Sequence, residues 1–154
     1  MKYKTKKKAI NFSVIFVFIT FIYLSMYFLY GEPEPDHKYY KERFIDKFKV
    51  ILFEENTKAP YTIFNGTKMK DYGVEFNIED LEHFRIINLQ VSKEVPKISL
   101  IEGLVHGSPY ELDAHVPFPK TIDEDDKLWL IIEKWDGKII HISWPLKEVI
   151  STTN

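Results

Sequence analysis

Residues 128–144 read LWLIIEKWDGKIIHISW, and this stretch decides the fold class. Two apolar runs, Leu128 to Trp135 and Lys138 to Trp144, flank Asp136-Gly137. Asp-Gly between such runs signals a β-hairpin, because the tight turn needs positive φ at its centre. A two-residue loop pairs Trp135 with Lys138, and that pairing sets every other partner in the ladder. It predicts Ile131 opposite Ile142, and Trp129 opposite Trp144 on the same side of the sheet.

The same alternation extends upstream. Tyr61 to Phe64 and Thr67 to Lys70 flank Asn65-Gly66, a second hairpin turn. Val74, Phe76 and Ile78 alternate with polar residues, and so do Ile87, Leu89 and Val91. His106 to Thr121 reads as a proline-rich loop containing Pro109, Pro117 and Pro119. Asp123-Glu124-Asp125-Asp126 forms an acidic run. Residues 36–54 read differently. Asp36 suits a helix N-cap, and Tyr40, Phe44, Phe48 and Leu52 follow at i, i+4 spacing, the apolar stripe of an amphipathic helix. The expected fold class is therefore α+β, with that helix packed on an antiparallel sheet in a two-layer domain spanning 36–154.

The N-terminus has its own pattern. Lys2, Lys4, Lys6, Lys7 and Lys8 precede an uncharged run from Ala9 to Tyr30. As a helix, a run of that length spans about 33 Å, against about 30 Å of hydrocarbon core. The run is too long for a signal h-region and ends on bulky residues, which predicts an uncleaved single-pass transmembrane anchor over 9–30. The lysines then place a basic tail, 1–8, in the cytoplasm. A Pro/Glu linker over 31–35 follows, and residues 36–154 lie outside the cell membrane. The bilayer is the partner this implies for 9–30.

Composition narrows the chemistry. The chain has 154 residues, 45% hydrophobic and 29% charged, with no cysteine and a formal net charge of −2. That length suits one domain. The missing cysteines exclude a disulfide scaffold, a thiolate zinc site and a cysteine nucleophile. The charge divides into +5 over the first eight residues and 16 − 23 = −7 after Gly31. An acidic domain has no basic face for nucleic acid, so no nucleic-acid partner is expected.

No phosphate loop, H-E-x-x-H or G-x-S-x-G motif occurs. The leading expectation is a non-catalytic domain that binds another envelope protein, without a cofactor. Tyr110, Trp135 and the acidic residues Asp123, Glu124, Asp125 and Asp126 are its candidate binding residues. The competing expectation is a metal-assisted hydrolase built on the 102–115 segment, which holds Glu102, His106, Tyr110, Glu111, Asp113 and His115. Asp113 and His115 are two apart, so an extended backbone points both the same way. With His106 they supply two imidazoles and a carboxylate, a donor set that suits zinc. A structural part of a secretion or transfer apparatus is a further alternative.

Overall fold

Strands account for most of the regular structure between Lys38 and Pro145. The protein is described by a computed structural model that covers residues 3–30 and 36–151, with side chains of the first helix described from residue 14 onward. The chain divides into two units, Met1–Pro35 and Asp36–Asn154.

The first unit holds one helix, α1 (Tyr3–Tyr30). Its described apolar side chains, Phe16, Phe21 and Leu29 among them, are exposed. Among the described residues, no helix is long and apolar enough to cross a membrane. The transmembrane span over 9–30, the lipid partner it implied and the single-pass cell-membrane location are corrected by that finding. The linker 31–35 and the side chains of the basic tail lie outside the described residues.

The second unit is built from two antiparallel sheets. Its strands are β1 (Lys38–Tyr39), β2 (Arg43–Ile45), β3 (Phe48–Glu54), β4 (Tyr61–Thr62), β5 (Lys68–Phe76), β6 (Phe84–Ser92), β7 (His106–Ser108), β8 (Glu111–Phe118), β9 (Lys127–Lys134) and β10 (Ile139–Pro145). One helical turn, α2 (Ile78–Leu81), links β5 to β6. The first sheet runs β1-β3-β5-β8-β7, with β2 beside β3 and β4 beside β5, and the second runs β10-β9-β6. The inner faces share one core: Phe48, Val50, Leu52, Tyr72, Val74, Ala114 and Val116 from the first sheet meet Leu89, Leu128, Leu130 and Ile132 from the second. Each such leucine contributes about 1.5–3 kcal/mol by leaving water.

The α+β class is therefore corrected: among the described residues of the second unit, the segment expected as an amphipathic helix instead holds β1, β2 and β3. A spacing of four is also an even spacing, so Phe48 and Leu52 point the same way on a strand as on a helix. Asp46 separates the alternatives, because it takes φ 56° and makes a turn between Ile45 and Phe48, which pair across β2 and β3. Phe44, a member of the supposed stripe, is exposed.

The 128–144 hairpin forms, one residue out of the expected register. Lys134 N–H donates to Lys138 O at 2.9 Å and Gly137 N–H to Lys134 O at 2.9 Å, so the loop is Trp135-Asp136-Gly137. Gly137 takes φ 81° to close it, a region that side chains with a Cβ rarely enter. One residue of slip exchanges the faces. Trp144 pairs with Leu128 in the core, while Trp129 pairs with Ser143 on the other face. Asn65-Gly66 behaves alike: Ile63 pairs with Thr67 around Phe64-Asn65-Gly66.

One charged group lies deep in the core. Lys70 Nζ lies 2.8 Å from Glu54 Oε2 and donates to Asn56 O at 3.0 Å and Lys58 O at 2.6 Å. The other carboxylate oxygen, Glu54 Oε1, accepts from the Tyr40 hydroxyl. Burial and then the bond to Glu54 push the Tyr40 phenol well above its ordinary value. Two ammonium protons go to carbonyls of the 55–60 loop, so Lys70 fastens that loop while pairing with Glu54. Removing one partner of such a pair strands a buried charge. Lys70→Ala should lower stability by about 3–5 kcal/mol. The double change Lys70→Met, Glu54→Leu should recover most of the loss, as urea denaturation would read.

Candidate metal centre

The register of β8 determines which residues face outward. Ala114, Val116 and Phe118 are buried, so Asp113, His115 and Pro117 take the opposite face of the first sheet. β7 returns from β8 with His106 opposite Asp113. On the other side, β5 puts Asp71 opposite His115 and Gly73 opposite Asp113. The supposed loop over 106–121 is thus largely a hairpin, and Pro117 sits beyond the end of β7, where β8 has a hydrogen-bonded neighbour only on its β5 side.

This brings His106, Asp113 and His115 together, with one donor atom of each within 4.8 Å of the others. His106 Nδ1 lies 3.3 Å from Asp113 Oδ1, and the two imidazole rings are 5.5 Å apart. His115 Nδ1 is 2.6 Å from Asp71 Oδ1, which also accepts from the Tyr61 hydroxyl at 2.9 Å. Both imidazoles are about half exposed, at 53% and 55%, so the cluster opens to solvent.

A third histidine–carboxylate pair lies at the ends of β1 and β3. Glu55 N–H donates to Asp71 O, and His37 Nε2 is 3.1 Å from Glu55 Oε2. Phe53 lies across Gly73, so closely that a Cβ there would stand 2.0 Å from the ring. Its ring packs 5.2 Å from His37 and 5.0 Å from Tyr39, making an aromatic floor beside the acids. Burial pushes the Glu55 carboxyl up; His37 pulls it back, and Asp113, Glu111 and Asp71 add to the rise. Burial and the bond to Asp71 push the Tyr61 phenol up to about 12. The face therefore crowds carboxylates, a field that favours a cation.

The other candidates lie elsewhere. Glu102 is outside the trio, and its carbonyl accepts from Asn88 on β6. Glu111 is on the same strand face and acts on Glu55 through its charge. Tyr110 is exposed in the β7–β8 turn and Trp135 in the β9–β10 turn, on different sheets. The acidic run does not converge on a common point. Asp126 is buried and accepts from Asp123 N–H at 2.7 Å. Asp123 pairs with Lys93 at 2.7 Å and Glu124 with Lys147 at 3.2 Å, while Asp125 is exposed. Lys93 holds the Asp123 carboxyl below its usual range. Asp71, Glu55, His37 and Tyr61 were missed in the sequence, because only the pairing of distant strands sets them beside the trio.

The family model described as "Uncharacterised conserved protein UCP029505" matches residues 3–147. The chain belongs to that family. The matched range includes the trio and Asp71. No curated protein and no solved structure matches the chain.

The raised Glu55 carboxyl has a consequence for stability. A carboxyl whose folded value lies above its unfolded value stabilises the fold at low pH, and the contribution is lost as pH rises through the folded value. Glu55→Gln should therefore gain stability relative to the parent between pH 4 and pH 7. Denaturation midpoints at the two pH values, in chelator, check this; an unchanged difference would contradict it.

Proposed function

We propose that this is a metal-binding domain taking one zinc-class ion at His106, Asp113 and His115. The observation that supports it is the convergence of two imidazoles and a carboxylate on one solvent-facing patch. Two nitrogens and an oxygen suit zinc and its first-row neighbours better than magnesium or calcium, which prefer all-oxygen sites. Bonds of about 2.0–2.2 Å set tetrahedral donors about 3.4 Å apart. The half-exposed rings have room to close to that spacing.

Three protein donors leave a fourth position for water or a ligand, the pattern of a catalytic rather than a structural zinc. An ion so held lowers the pKa of bound water toward about 7, supplying hydroxide for hydrolysis. Metal-assisted hydrolysis is thus the activity class that the donor set supports. Non-catalytic protein binding is the second reading, favoured by the exposed Tyr110 and Trp135 side chains.

The full chain, stripped with chelator, should bind one cobalt ion with visible ligand-field bands. His106→Ala and His115→Ala should each weaken binding more than tenfold. Zinc-loaded protein should hydrolyse an activated ester faster than the His106→Ala variant under the same conditions. Absence of cobalt binding would sink the proposal; binding without hydrolysis would leave the protein-binding reading.

A further inference from the structure

We infer that Asp71 is the positioning residue of this centre, holding His115 with its proton on Nδ1 so that Nε2 is the atom offered to the ion. The inference rests on the metal-binding reading above and extends it to a residue outside the donor trio.

A carboxylate only accepts hydrogen bonds, so a 2.6 Å contact between Asp71 Oδ1 and His115 Nδ1 requires the proton on Nδ1. The lone pair of the neutral ring is then on Nε2. Asp71 is itself held in place. The Tyr61 hydroxyl donates to the same oxygen from β4, and Asp71 lies directly across the ladder from His115. On either side of it in β5, Lys70 and Tyr72 are both buried, and Tyr72 donates to Val149 O at 2.6 Å. Those anchors prevent the strand from turning Asp71 away. The Asp71 side chain is 21% exposed where the His115 side chain is 55%, so the carboxylate lies below the ring and the ring opens outward. Metal-ligating histidines commonly donate their second N–H to such a carboxylate, and losing it costs about 10–100-fold in metal affinity.

The test reads the ring nitrogens of His115 by NMR in the full chain, with and without cobalt. Metal-free wild type should show the Nδ1–H form. Asp71→Ala should shift His115 toward Nε2–H and weaken cobalt binding about 10–100-fold. Asp71→Asn, whose amide oxygen still accepts, should keep the Nδ1–H form and most of the affinity. Tyr61→Phe should keep that form too, because it leaves the Asp71–His115 bond in place. These nitrogen signals separate positioning from a merely structural role, which would leave the tautomer unmoved. A cobalt-loaded wild type with His115 protonated on Nε2, or an Asp71→Ala variant that retains Nδ1–H, overturns the role of Asp71 alone. A wild type with Nδ1–H that takes up no cobalt overturns the metal reading and the positioning role with it.

Discussion

The antiparallel register of β5 against β8 is the constraint on which the rest of the second unit depends. It sets Tyr72 opposite Ala114 and Lys70 opposite Val116 on the buried face, and Asp71 opposite His115 on the outer one. A slip of one residue would turn Asp113 and His115 into the core and Ala114 and Val116 into water. Burying a histidine and a carboxylate without partners costs several kcal/mol. The apolar core therefore specifies the polar cluster: the forces that bury one side of the sheet present the donor groups on the other.

The inner face carries its own polar exception. Lys70, Glu54 and Tyr40 form a buried, charge-paired group where hydrophobic side chains would be simpler. Its carbonyl contacts tie down the loop after β3, and Glu55 stands at the start of that loop. The outer acids and the buried pair are thus supported by the same stretch of backbone. Gly73 plays the matching part on the outer face. With no side chain there, Phe53 lies flat over β5 beside the donor residues.

Much of the second unit was legible in the sequence where period and turn chemistry agreed. Asp136-Gly137 and Asn65-Gly66 both mark hairpins, and Ile87, Leu89 and Val91 all pack into the core. What the dipeptides do not reveal is loop length. A three-residue loop uses the same glycine as a two-residue loop, and the difference moved Trp129 and Trp144 to opposite faces. The 36–54 segment misled for a related reason, since apolar residues every fourth position satisfy a helix and a strand alike. The proximity of His106 to Asp113 and His115 was legible because Asp113 and His115 are close in sequence and share a strand face. Asp71, 44 residues from His115, was not: no local pattern shows which strands become neighbours.

The proposed site for one metal ion on the open face of the first sheet consists of His106, Asp113 and His115. Anomalous diffraction at the zinc absorption edge, from crystals of the full chain grown with zinc, addresses it most directly. A single strong peak is expected about 2.0–2.2 Å from a ring nitrogen of each histidine and from an Asp113 oxygen. Zinc bound only at other residues, with no peak between these three, would contradict it.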